Sequence, residues 1–200
     1  EFSTDDSLVR LEALVGLSQR LLDRAKALGA TQAEVSCSEE RGLNVNVRTG
    51  AVETVESTRD RGIGVTVYFG QRKGSASTAD LQPASLAATV EQACAIARHT
   101  EPDAAAGLAD AARMATDLRE FDSWHPWDLD ADRAIALALE AEAAGRAADR
   151  RIANSDGASV GSGESLSVYA NSHGFTGAER STSHSLSVSL IAGQGDGMQR

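Results

Sequence analysis

Between Gly62 and Gly70 apolar and polar residues alternate without a break, with Ile63, Val65, Val67 and Phe69 in the apolar positions. A two-residue period places successive side chains on opposite faces of an extended chain, so this segment reads as a β-strand with one face buried. The same alternation occurs in Ala33, Val35 and Cys37. It returns in Leu43, Val45 and Val47, with Asn44, Asn46 and Arg48 on the other face. A turn at Arg48-Thr49-Gly50-Ala51 leads into residues 52–58, where Val52 and Val55 fall on opposite parities and predict a bulge or register change. Arg72 to Thr78 is expected as a short edge strand. Consecutive strands joined by short glycine turns pair antiparallel, so the fold class is α+β, with helices packed on a mainly antiparallel sheet, rather than a doubly wound parallel sheet.

Helical spacing of Leu11, Leu14, Val15, Leu21, Leu22, Ala25 and Leu28 predicts a first helix stopped at Gly29. Asp80 as N-cap and Pro83 in the first turn predict a second, ending near His99. Residues 101–123 lack a firm period and read as a loop closed by Trp124-His125-Pro126-Trp127-Asp128. A third helix is expected from Leu129 to Asp149, then strands over 152–160, 164–171 and 183–192. The order suggests a duplicated helix–strand–strand unit. It divides the chain into residues 1–100, a connecting loop 101–128, and residues 129–200. After Ile191 the stretch from Gly193 to Arg200 shows no closing element, which suggests the front part of a longer protein with an exposed sheet edge; the plainer alternative is a flexible tail on a complete domain.

Charge narrows the function. Nineteen Lys and Arg stand against 29 Asp and Glu, a net charge of −10. Phosphate contacts need a basic surface, so direct nucleic-acid binding is not expected, nor is attachment to an anionic membrane. Cys37 and Cys94 are too few for a disulfide framework or a four-cysteine metal site. Residues 1–6 have neither a basic nor an apolar region, and no apolar run is long enough to span a bilayer, so a reducing cytoplasmic setting is expected.

No motif points to catalysis. Gly157-Ala158-Ser159-Val160-Gly161 fits G-x-S-x-G, but a nucleophile elbow needs a strand before the serine and a helix after it, and here the order is reversed. Gly62-Ile63-Gly64 opens like a dinucleotide fingerprint but continues as a strand. Its glycines read instead as outward-facing positions where another backbone can approach. His99, His125, His173 and His184 are scattered without metal-ligand spacing. His125, between two tryptophans, reads as part of an aromatic cover, and His184 as a surface residue. Arg59-Asp60-Arg61 and Arg72-Lys73 bracket the Gly62 strand. Their plain reading is a pair of solvated turns; their functional reading is capture of the terminus or a carboxylate of an extended peptide. Arg59, Arg61, Gly62, Gly64, Arg72 and Lys73 are therefore the candidate substrate- or partner-binding residues.

Residues 52–56, Arg59-Asp60-Arg61-Gly62-Ile63-Gly64-Val65-Thr66-Val67-Tyr68-Phe69-Gly70 and Arg72-Lys73-Gly74-Ser75-Ala76-Ser77-Thr78 resemble the N-terminal signature of the TldD/PmbA family. His125-Pro126-Trp127-Asp128 and Asn171-Ser172-His173-Gly174-Phe175 point to its PmbA branch, also called TldE. The resemblance implies cytoplasmic proteins about twice this long, acting as a TldD–TldE heterodimer that is a zinc metalloprotease of unfolded or flexible peptides. It places zinc on the TldD-like partner, through a His-Glu-x-x-x-His helix, and leaves this chain without a cofactor or catalytic residue of its own. The chain would then contribute assembly and substrate-binding surface, and the isolated fragment would self-associate. The alternative is a non-proteolytic regulatory or protein-binding module, in keeping with the older family label, modulator of DNA gyrase.

Overall fold

The computed structural model describes residues 6–194 and 197–199. Its order is α1 (Asp6–Ala27), β1 (Gln32–Arg48), β2 (Ala51–Phe69), β3 (Arg72–Thr78), α2 (Pro83–His99), α3 (Ala131–Ala147), β4 (Ile152–Asn171), β5 (Thr176–Gln194) and β6 (Gly197–Gln199). All strands join one antiparallel sheet in the order β3-β2-β1-β4-β5-β6, which makes the α+β class a finding. The units α1-β1-β2 and α3-β4-β5 repeat one pattern, and the first strand of each lies at the centre of the sheet.

The strands are longer than the alternation predicts. Residues 33–37 and 43–47 belong to one strand, as do 52–58 and 62–69, and 152–160 and 164–171. Arg59-Asp60-Arg61, read above as a turn, lies inside β2 opposite Arg41, Glu40 and Glu39. The apolar period stops there because charges replace apolar residues, not because the backbone turns. Glu39 is only 6% exposed and is held by Arg41 at 3.1 Å and Arg10 at 3.5 Å. A buried carboxylate is tolerated only when paired in this way. The register change expected near Val52 is present, between Asn46 and Val47 on β1 opposite Thr54 and Val52.

All three helices lie on one face. At one end of the sheet α1 and α2 cover Val35, Cys37, Ile63, Val65, Val67, Leu166 and Val168. At the other, α3 covers Val45, Val47, Ala158 and Val160. The charged row at Glu39 and Arg41 separates the two cores. Gly74 is buried because α2 rests directly on β3: a Cβ there would run into the Ala93 carbonyl and the Ala97 amide. Asp80 is not the N-cap of α2. That position is Gln82, and the Asp80 carboxylate instead accepts from the Gln82 amide and the Ser85 hydroxyl, while Pro83 opens the helix as expected.

Two features fix the hairpins. The β1–β2 turn uses positive φ at Thr49 (50°) and Gly50 (79°), the geometry that matches strand twist. Both turn amides donate to Glu142 of α3, at 2.8 Å each. At the far edge, β6 pairs with Ala192–Gln194 where no closing element was expected; Gly195, Asp196 and Arg200 of that tail lie outside the described residues. The segment around His125 runs along β5, with Thr182 N donating to Ser123 O at 2.9 Å and His125 N to Thr182 Oγ1 at 2.9 Å.

Candidate functional site

The structure does not gather the six predicted residues into one site. Arg59 and Arg61 lie on the helix-bearing side of β2, in register with Arg41 and Glu39. Gly62 and Gly64 alternate with them and lie on the opposite, open face, beside Ser38 and Ser36. A Cβ on Gly64 would come within 2.7 Å of Ser36 Oγ. Arg72 is at the far end and is already occupied: its Nη1 donates to the carbonyls of Arg98 and Thr100, at 3.1 and 3.2 Å, closing the end of α2. Lys73 lines a hollow with Tyr68, Ser75, Glu101 and Asp103.

The open face carries no aliphatic stripe. Serine, threonine, asparagine and glycine make up most of it, from Ser75 and Ser77 on β3 to Ser181, Ser183 and Ser185 on β5, with Glu40, Glu56, Asp60 and Glu179 among them. Its one aromatic group surrounds Glu34. Tyr68 Oη donates to Glu34 Oε1 at 2.9 Å, and Tyr169 Oη to Oε2 at 2.8 Å. Burial, then the hydrogen bond and charge of Glu34, push the Tyr68 phenol up to about 12, so it stays a donor. Beside this group Ser36, Gly64, Thr66, Ser75 and Ser77 line a shallow hollow of about 390 Å³. Sequence reading missed the cluster, although a signal was present: both tyrosines of the chain fall on the polar parity of their strands.

The edge of β2 is the second feature. β3 pairs only with Ile63–Phe69, so among the described residues 51–62 have a strand on one side alone. Val52, Glu53, Thr54, Val55 and Glu56 are all exposed. An unpaired edge this long offers main-chain donors and acceptors to a further strand, and its charges discourage indiscriminate pairing.

The remaining polar groups have structural partners. Ser159 Oγ meets Ser187 Oγ at 2.7 Å within the sheet, so the G-x-S-x-G match is a strand position and no elbow. Ser162 Oγ lies 3.1 Å from His184 Nδ1, whose Nε2 donates to the His125 carbonyl at 2.7 Å, and Trp127 stacks edge-on against the ring. His184, expected as a plain surface residue, thus pins the Trp124–Trp127 segment. Both cysteines are buried, and burial raises the Cys37 thiol to about 11. Among the described residues no group of three or more His, Cys, Asp or Glu could hold a metal ion, so these residues do not fit a zinc site.

Residues 33–97 match the family profile "PmbA/TldA metallopeptidase domain 1", and residues 124–200 match "PmbA/TldA metallopeptidase central domain". The chain belongs to the PmbA/TldD family. It is 44% identical over 178 residues to a metalloprotease PmbA homolog of Haemophilus influenzae, covering 89% of this chain and 39% of that one. It is 45% identical over 168 residues to metalloprotease PmbA of Escherichia coli O157:H7, covering 84% and 37%. A Bacteroides thetaiotaomicron crystal structure described as a modulator of DNA gyrase superposes with a TM-score of 0.80 at 25% identity, over 91% of this chain and 41% of that one. TldE from Thermococcus kodakarensis shares the fold at a TM-score of 0.76 and 15% identity, over 92% and 41%. The chain therefore spans about two fifths of the length of these PmbA relatives. The two family domains are not separate bodies: β1 of the first and β4 of the second are hydrogen-bonded neighbours from Glu34–Asn171 to Val47–Ala158.

Proposed function

We propose that this chain is the substrate-binding and assembly part of a PmbA/TldE subunit, which works with a TldD-like partner carrying the zinc to cleave unfolded peptides in the cytoplasm. The observation that carries this reading is the free edge of β2 over residues 51–62. A peptide added there would be held through main-chain hydrogen bonds, which accept almost any sequence, as a protease of unfolded segments requires. The polar glycine- and serine-rich face beside it supports the same reading, because small side chains leave room for a close layer. Arg59 and Arg61 lie on this edge strand. Gly62, Gly64 and Lys73 belong to the open face, where a second chain would approach.

Hydrogen–deuterium exchange on the full-length protein tests the edge. Adding an unfolded peptide should slow exchange over residues 51–61; protection confined elsewhere would refute strand addition. Metal analysis and peptide digestion test the division of labour. The full-length subunit alone should be inert and the pair with a TldD-like subunit active, whereas stoichiometric zinc on this subunit alone would sink the assignment. A pair that cannot cleave, with this subunit alone binding gyrase, would favour the regulatory alternative suggested by the names of its structural relatives.

A further inference from the structure

In a chain with a net charge of −10, basic residues converge at one place. Where β3 leaves the sheet, Arg10 and Arg20 of α1, Arg41 of β1 and Arg61 of β2 line a hollow of about 300 Å³. Glu39 is its one acidic lining residue, and it binds Arg41 and Arg10. Asp6, which does not line the hollow, lies 3.4 Å from Arg10 and 4.0 Å from Arg41. Neither Arg20 nor Arg61 makes an ion pair among the described residues, although Arg61 stands opposite Glu39 on β1, and Arg10 Nε, 3.5 Å from Glu39 Oε1, is buried without a hydrogen bond. The opposite wall is apolar: Leu14 and Leu17 of α1, with Leu81 and Leu86 at the entry to α2.

We infer that this hollow binds a carboxylate carried beside an apolar side chain. The two acids neutralise Arg10 and Arg41 and fix them as a scaffold, leaving Arg20 and Arg61 to meet the anion. Guanidinium groups bind carboxylates in a planar, two-pronged geometry that a diffuse positive surface does not supply. The place matches the proposed strand addition, on which the biological role of this site rests. Arg61 adjoins the point where β3 stops pairing with β2 at Ile63, so a peptide on the free edge of β2 ends at the hollow. A peptide delivering its C-terminal carboxylate there runs parallel to β2. An internal Asp or Glu would present the same group without fixing direction.

Ligand-observed NMR on the full-length protein separates these possibilities. N-acetyl-leucine carries the carboxylate and apolar side chain without a strand. It should bind about tenfold more tightly than N-acetyl-leucinamide, and the Arg20→Gln/Arg61→Gln variant, altered at two exposed positions, should bind both equally. Equal binding by the unaltered protein, or a preference that survives in the variant, overturns the inference. Decapeptides ending in leucine, as free acid or amide, and an amide with a penultimate Glu identify the source. Preference for the free acid alone assigns the C-terminus; equal binding of the Glu-containing amide assigns a side chain. If N-acetyl-leucine discriminates but no peptide protects β2 from exchange, the hollow stands and strand addition falls. If peptides protect β2 but acid and amide bind alike, the reverse holds.

Discussion

Glu142 is a charged residue with almost no exposure, about 1%, on a helix whose other buried residues are Ala134 and Ala138. Its two oxygens accept the Thr49 and Gly50 amides at 2.8 Å, which ties α3 to the β1–β2 turn. Burial opposes its ionisation, but hydrogen bonds from Ser155, Gly50 and Thr49, with Arg146 nearby, outweigh that and hold the carboxyl below its ordinary 4.5. Glu142→Gln keeps the shape and one acceptor but turns an NH₂ toward one of the turn amides. Hydrogen bonds to a charged group contribute roughly 1.5–3 kcal/mol each, and the exposed turn lets water replace part of the loss, so the net cost should be about 2 kcal/mol. For a domain of this size that is a fall in melting temperature of roughly 4–8 °C. The pH dependence is diagnostic. A depressed carboxylate pKa contributes stability that is complete above the unfolded value and is lost as pH falls through the folded value. Urea unfolding of both proteins should therefore show the full gap at pH 7 and a narrowing gap below about pH 4.5. Equal stability at pH 7, or a gap that persists unchanged into acid, would refute the clamp.

Val67 is fully buried between α1 and α2, so Val67→Asp should cost at least several kcal/mol and prevent cooperative folding; a soluble variant with a sharp melt would show that the strand presents its other face. Gly74→Val should be comparably damaging, because the added side chain meets α2 backbone rather than a movable side chain; circular dichroism after purification would reveal an intact fold if this is wrong. Leu186 and Val188 on β5 are 56% and 40% exposed, so the 200-residue chain should self-associate, and Leu186→Ser/Val188→Ser should reduce it in light scattering. A monodisperse monomer at high concentration would contradict this last expectation.

The two-residue period made the sheet legible, and helical spacing with Gly29 and Pro83 made the helices so. What the period could not show was strand length. Glu39, Glu40 and Arg41 look like a break because their apolar neighbours are missing, yet Arg10, distant in sequence, supplies the counter-charge that keeps Glu39 in the sheet. The site residues divided for the same reason. Alternation sends Arg61 and Gly62 to opposite faces, so adjacency in sequence guaranteed their separation in space. Arg72 reads in the sequence as a ligand-binding cation because nothing local names the carbonyls of Arg98 and Thr100 that it meets beyond a turn and a helix. The Glu34–Tyr68–Tyr169 group joins three strands and has no local spacing at all.

The ladder between β1 and β4 has a consequence for synthesis. β1 acquires β2 as soon as its hairpin emerges, but its other edge must wait for residues 158–171, about 110 residues further along. At roughly 5–20 residues per second that edge stays open for about 5–20 s on the ribosome. During this interval it is a bare template for mispairing, and Glu39, Glu40 and Arg41 stand at its middle. Charges flanked by hydrophobic strand segments act as gatekeepers against aggregation. The row that interrupts the finished core thus guards the nascent chain until its permanent neighbour is made.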